Sequence, residues 1–317
     1  MRTGQEWFLG TADAVFQNIN LIQQHNPELV IIFGADHIYR MDIRQMIDFH
    51  MERNALVTVA ARPVPVKEAS AFGVIATDES HRIVEFQEKP KNPSPMPGDP
   101  ERAYVSMGNY IFGKDALLTA LASAQRKKQH DFGAHVLPDF VETGRLFAYD
   151  FATNQVPGVR PYEEVGYWRD VGSIDAFYRA HMDMLDGKPL FEPNNPHWPI
   201  ISGSFEGPAA KILKGDIRNS IIAAGCAIHR AKIRNSIIRS NVVIEDGAVV
   251  EDSIVMDNVI LRKNCKLKRV IIDKLNIIEE GEEIGYDPAK DRFRCHIDSS
   301  GIAIVPRSGR KMRPKGV

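Results

Sequence analysis

The sequence predicts an α/β chain in which a mixed-sheet domain is followed by a parallel β-helix. The apolar run Leu29-Val30-Ile31-Ile32-Phe33 has no polar alternation, which suits a parallel strand covered on both faces. A helix-compatible segment from Asp42 to Arg53 and the β-rich run Leu56–Ala61 follow it, giving the strand, helix, strand order of a parallel sheet. Past residue 208 the units Asn219–Ile222, Asn235–Ile238, Asp252–Val255 and Arg269–Ile272 recur at spacings of 16, 17 and 17. That period, rich in Ile and Val with Gly and Asn between, fits hexapeptide-type coils of three short strands each.

Taken in order, the first recognisable element is a helix, where a doubly wound domain normally opens with a strand and a phosphate loop. Thr11 is its expected N-cap, and Val15, Ile19 and Ile22 recur at helical spacing up to Gln24. Gly10-Thr11-Ala12 places small residues and free N–H groups at the helix start, which suits a nearby anion or an ordinary cap equally. Asp36 stands just beyond the central strand, where ligands of open α/β sheets bind, and Gly34 allows the backbone a tight turn. A turn-capping aspartate is the plain alternative.

Gly73–Thr77 and Ile83–Gln87 read as a hairpin around the polar turn Asp78–Arg82, and it ends in Glu88-Lys89-Pro90. Lys89, fixed at a strand end by the following proline, can deliver a point charge to a phosphate; a solvated strand-end lysine has the same pattern. Lys91–Pro100 reads as a surface loop, Met107–Phe112 as a strand, Lys114–Ala124 as a helix, and Asp131–Glu142 as a helix that Pro138 shortens or kinks. Arg145–Phe151 reads as a strand and Ala152–Glu164 as a loop. In Tyr167-Trp168-Arg169-Asp170-Val171-Gly172-Ser173, Ser173 is the expected N-cap of a helix with Ile174, Phe177, His181, Met184 and Leu185 on one face. Asp170 then lies in a tight loop before a helix start, where an aspartate also simply complements the helix dipole.

These elements give a domain over residues 1–187, a linker rich in Pro, Asn and Gly over 188–208, and a β-helix over 209–317 ending in the basic tail Arg307–Lys315. Hydrophobic residues make up 44% and charged residues 26%, as in soluble proteins with a sizeable core. Forty basic against 41 acidic residues leave a net charge of -1, so bulk attraction to nucleic acid or anionic membrane is excluded. No apolar run of about 18 residues and no basic-then-apolar leader is present, and a cytoplasmic location is expected. Cys226, Cys265 and Cys295 form no Cys-x-x-Cys pair, which argues against a disulfide scaffold or zinc ribbon and makes Cys226 and Cys265 wall residues of the coils. The 10 histidines show no metal-ligand spacing.

Seven motifs stand in the order found in one family: Gly10–Val15, Gly34–Tyr39, Glu68–Val74, Phe86–Pro90, Ser106–Gly108, His130–Gly133 and Tyr167–Gly172. Through them the sequence resembles the glucose-1-phosphate adenylyltransferases, also called ADP-glucose pyrophosphorylases, of glycogen and starch synthesis. The resemblance implies a Rossmann-like nucleotidyltransferase sheet domain, a left-handed β-helix behind it, and attack by the phosphate of glucose 1-phosphate on the α-phosphorus of ATP. It assigns Asp36 and Asp170 to Mg²⁺ and catalysis, and Lys89 to the sugar phosphate. Glu88, Gly73 and Ser106 are assigned to the glucosyl part, and Gly10 and Thr11, with Phe8 where the family often has Tyr, to the adenine end. It further implies a homotetramer under allosteric control by metabolites.

Two departures qualify this. The Gly-rich loop with Arg and Lys that grips the ATP phosphates in the family has no counterpart in the 317 residues, so the chain is expected to be an N-terminally truncated form that alone turns over slowly or not at all. Ala134 and His135 stand where the family often has Lys and Asp. A non-catalytic regulatory subunit of the same enzyme is the alternative. A β-helix acyltransferase would need a catalytic histidine in the coils, and His229 there has no supporting motif.

Overall fold

The computed structural model describes residues 7–201 and 207–307, so the tail expected at Arg307–Lys315 lies outside the described residues from 308 onward. In chain order the elements are α1 (Thr11–Phe16), α2 (Ile19–His25), β1 (Leu29–Ile32), β2 (His37–Tyr39), α3 (Ile43–Glu52), β3 (Val57–Pro65), α4 (Val66–Ala69), β4 (Gly73–Thr77), β5 (Ile83–Glu88), β6 (Arg102–Gly113) and α5 (Lys114–Arg126). A π-helical turn at Phe132–Val136 leads into α6 (Pro138–Val141), followed by β7 (Leu146–Asp150), β8 (Trp168–Asp170), α7 (Ile174–Met182) and then the short strands of the coils. The chain forms two compact units. One holds the residues up to Ala35 together with Arg40–Val156, and the other holds Asp36–Tyr39 together with the chain from Pro157 onward.

Among the described residues the first unit is built on a six-stranded sheet in the order β5-β4-β6-β3-β7, with β1 on the C-terminal half of β6. The twelve-residue β6 is its spine, antiparallel to β3 along one edge and to β4 and then β1 along the other. β3 and β7 run parallel, so the sheet is mixed as expected. Phe112, Phe132, Leu117, Leu121 and Leu146 are fully buried in its core.

Several local expectations change here. β1 is antiparallel to β6 and only half-buried along its length, not a parallel strand covered on both faces. An unbroken apolar run signals demand for burial but carries no information on strand direction. The strand expected at Met107–Phe112 extends back to Arg102, because Ala103, Tyr104 and Val105 pair with Val64, Pro63 and Arg62 of β3. The single helix expected from Thr11 to Gln24 is two helices. Around the break, Gln17 Nε2 donates to Asp13 Oδ2 at 2.9 Å and Asn18 Nδ2 to the Ala14 carbonyl at 2.8 Å, local bonds that compete with helix continuation. Pro138 sits in the first turn of α6, where its missing N–H costs nothing.

In the second unit the repeat folds as a parallel β-helix of three sheets. The repeating units stack in register, Ile221 on Ile237, Ile237 on Ile254, and Ile254 on Ile271. Ile228, Ile233, Ile244, Val250, Leu261 and Leu267 fill the interior with no exposure. The corner residues Asn219, Asn235, Asp252 and Arg269 all take φ between 44° and 56°, and asparagine is the commonest non-glycine choice for that region. Beside them runs a serine ladder. Ser236 and Ser253 are fully buried; each hydroxyl donates at 2.6 Å to the carbonyl two residues earlier and accepts the N–H of the next coil, from Ser253 and Val270 respectively.

Cys226 and Cys265 line the coil interior as anticipated, and burial pushes the Cys265 thiol up to about 12. α7 packs on the coils through Tyr178 against Ile254, Ile271 and Ile302, and the Tyr178 hydroxyl donates to the Asp252 carbonyl at 2.7 Å. Among the described residues no helix is long and apolar enough to cross a membrane.

Candidate active site

The second unit contains a two-stranded antiparallel ribbon that brings two distant motifs together. β2 pairs with β8 in the register His37↔Asp170, Ile38↔Arg169 and Tyr39↔Trp168, and the Val171 N–H extends the ladder by donating to the Asp36 carbonyl at 2.9 Å. Asp170 is therefore the last residue of a strand, not the loop residue expected from sequence, because pairing with β2 carries extended backbone up to it. Alternation along β8 sends the neighbouring Arg169 the other way. Its guanidinium donates to both carboxylate oxygens of Glu164, at 2.6 and 3.0 Å, and to Asp183 Oδ2 at 3.1 Å, and it lies 4.3 Å from the Tyr167 ring centroid. Such a forked, charge-assisted anchor fixes the strand that carries Asp170.

Gly172 completes the arrangement. Its N–H donates to Asp170 Oδ1 at 2.8 Å, and a Cβ added at Gly172 would stand 3.0 Å from Asp170 Oδ1 and 3.4 Å from Asp36 Oδ2. The two carboxylates thus share a hollow that any side chain at residue 172 would fill. One ligand atom from each of Asp36, His37 and Asp170 falls within 4.8 Å of the others, and both carboxylates are exposed. Two hard, anionic oxygens converging on an open hollow suit a small divalent cation of the Mg²⁺ type, which keeps several waters or phosphate oxygens in its shell. Ser173 caps α7 as expected, accepting the Ala176 N–H at 3.2 Å.

The remaining candidates lie in the first unit. Gly73 faces Glu88 in the β4–β5 ladder, and Glu88 Oε2 rests in a notch between Gly73 and Gly133, 3.2 Å from where a Cβ on either would be. Lys89 follows directly, exposed, with φ 46° and its N–H donated to the Phe72 carbonyl at 3.1 Å. Ser106 Oγ accepts the Gly108 N–H at 3.2 Å, and Ser106 hydrogen bonds Tyr110, whose phenol burial pushes up to about 12. Phe8 is half-buried with its ring 5.7 Å from that of Trp7.

Gly10 and Thr11 are placed differently from expectation. Gly10, not Thr11, is the N-cap of α1; the His130 carbonyl occupies the place of any Cβ on Gly10 and accepts the N–H groups of Ala12 and Asp13 at 2.8 and 3.2 Å. Those N–H groups are not free for an anion. The Thr11 hydroxyl donates to Asp131 Oδ2 and accepts from the Phe132 N–H, both at 3.0 Å, tying α1 to the π-helical turn.

Comparison with known proteins identifies the family of the chain. Residues 2–187 match the model of the nucleotidyl transferase family, and residues 208–305 match that of the GlmU-like C-terminal hexapeptide. A glucose-1-phosphate adenylyltransferase of Thermodesulfovibrio yellowstonii is 63% identical over 311 residues, covering 98% of this chain and 76% of the relative. Others from Anaeromyxobacter sp. and Photobacterium profundum are 44% and 43% identical, each covering 98% of this chain and 78% of their own length. The chain belongs to the glucose-1-phosphate adenylyltransferase family.

Within that family fold, sequence reasoning singled out the two aspartates but assigned no role to His37, Gly172 or Asp131, although all three stand in the quoted motifs. His37 and Gly172 flank the carboxylate pair, and Asp131 organises the turn that carries Gly133 by accepting the Ala134 N–H at 2.8 Å. A glycine two residues after a strand-end aspartate was the available signal for the hollow at Gly172.

Proposed function

We propose that this adenylyltransferase-family chain joins ATP and glucose 1-phosphate into ADP-glucose and pyrophosphate for α-glucan synthesis. The observation that carries the proposal is the pairing of Asp36 with Asp170 across the hollow at Gly172. A phosphate oxygen of the sugar attacks the α-phosphorus, the bond from that phosphorus to the bridging oxygen breaks, and its electron pair leaves on pyrophosphate. The attacking phosphate is already anionic, so no strong base is needed and the protein's work is positioning and charge neutralisation.

Asp36 and Asp170 would hold Mg²⁺, which when bound neutralises charge on the phosphoryl oxygens. Lys89 supplies a mobile point charge for the sugar phosphate, and Glu88 with Gly73 and Ser106 offers acceptors and close backbone for sugar hydroxyls. Gly10, Thr11 and Phe8 are assigned to the adenine end on the family motif alone. Retention of the carboxylate pair and Lys89 favours a catalytic chain over a regulatory subunit. The homotetramer, the allosteric control and the cytoplasmic location belong to the same reading.

The test is pyrophosphate release with ATP, glucose 1-phosphate and Mg²⁺, using the 317-residue chain and any upstream-extended version its genome encodes. Other nucleoside triphosphates and sugar phosphates serve as competitors, and Lys89→Gln as a probe. Preference for ATP and glucose 1-phosphate, with Lys89→Gln raising KM for the sugar phosphate more than it lowers kcat, supports the assignment. Preference for another pair of substrates overturns it.

A further inference from the structure

We infer that His37 is a positioning residue for the carboxylate pair, holding one oxygen of Asp36 so that the other faces Asp170 across Gly172. The inference rests on the reading of Asp36 and Asp170 as a cation site and assigns the division of work within it. The two oxygens of Asp36 have different surroundings. Oδ1 is 3.7 Å from His37 Nε2, whereas Oδ2 faces the hollow, 3.4 Å from the position of a Cβ on Gly172.

His37 is suited to hold Asp36 still. It sits on β2 directly opposite Asp170, its side chain is 13% exposed against 60% for Asp36, and its ring meets that of Trp168 edge-on with centroids 5.0 Å apart. Its Nδ1 is buried and has no hydrogen-bond partner among the described residues. Nδ1 lacks a partner in either tautomer, but a lone pair on Nε2 would face the Asp36 carboxylate oxygen 3.7 Å away, whereas an Nε2–H can donate to it, so the neutral ring carries its proton on Nε2. A protonated Nε2 can donate to the carboxylate but has no lone pair for a cation. His37 is therefore a partner of the ligand and not a third ligand, the arrangement by which metal-binding carboxylates are oriented. The 3.7 Å separation exceeds hydrogen-bond length, and a small rotation of the exposed Asp36 side chain closes it when Oδ2 is engaged.

Mn²⁺ titration followed by electron paramagnetic resonance tests this on the wild-type chain and on His37→Ala, His37→Gln and Asp36→Asn, with thermal melting to confirm folding. His37→Ala is expected to weaken Mn²⁺ binding about 10- to 100-fold. His37→Gln, whose amide nitrogen reaches the place of Nε2, should recover most of that loss and keeps the test open if the alanine variant fails to fold. Spin-echo spectra of the wild type should show no directly bound nitrogen. A directly bound ¹⁴N, or unchanged affinity in folded His37→Ala, overturns the role given to His37. Unchanged Mn²⁺ binding by Asp36→Asn would instead remove the cation site on which the inference stands.

Discussion

The Val171 amide donates to the Asp36 carbonyl at 2.9 Å, and this backbone bond, continuing the β2–β8 ladder, places the Asp36 and Asp170 carboxylates side by side. The pair is thus set by strand register, which side-chain motion does not disturb. Arg169 anchors the same strand from its other face.

Gly172→Ala should remove activity while leaving the fold intact. Residue 172 is not among the positions with positive φ, so alanine fits the backbone, but its methyl would stand 3.0 Å from Asp170 Oδ1 and 3.4 Å from Asp36 Oδ2. A loss of at least tenfold in kcat/KM, or about 1.4 kcal/mol, is expected, with little change in melting temperature. Steady-state kinetics beside a thermal melt reads both.

Ser253→Ala should destabilise the coils. In a fully buried setting its hydroxyl accepts the Val270 N–H and donates to the Glu251 carbonyl; alanine leaves the Val270 N–H without that acceptor, while the Glu251 carbonyl keeps the Arg269 N–H at 3.1 Å. A cost of about 1–3 kcal/mol is expected for the donor left unpaired. Urea denaturation of the two proteins gives the difference directly.

His50 should make stability fall in mild acid. It is buried between α3 and β3, with Nδ1 2.8 Å from Thr58 Oγ1, and burial first and the nearby Arg145 second hold its pKa below the ordinary 6.5. Below pH 6.5 the unfolded chain therefore binds more protons than the folded one, so the contribution of His50 is complete above that value and is lost as pH falls toward the folded pKa. His50→Gln should flatten the slope of stability against pH between about 5 and 7, measured by denaturation at each pH.

What the sequence made legible follows from how each feature is encoded. The coils could be read because every turn repeats the same demand, with Ile or Val inside and Asn, Asp or Arg at a left-handed corner, so stacking adds the same signal four times. Strand direction could not, and β1 was assigned the wrong pairing because Leu29–Phe33 reports burial alone. The helix break after Phe16 depended on Gln17 and Asn18 finding partners at Asp13 and Ala14, and the true role of Thr11 depended on the distant Asp131 and Phe132. At the site, motif order singled out Asp36 and Asp170 as candidates, whereas the part inferred for His37 needed the register that sets it opposite Asp170.

The most direct test of the central claim is a double-mutant cycle on pyrophosphate release with Asp36→Asn, Asp170→Asn and both together. If the carboxylates act as one unit, each single substitution should lower kcat by at least about 10³, and the double variant should lose little more than either alone. A single variant retaining activity within about tenfold of wild type, or losses that simply multiply, would contradict a shared site at Gly172.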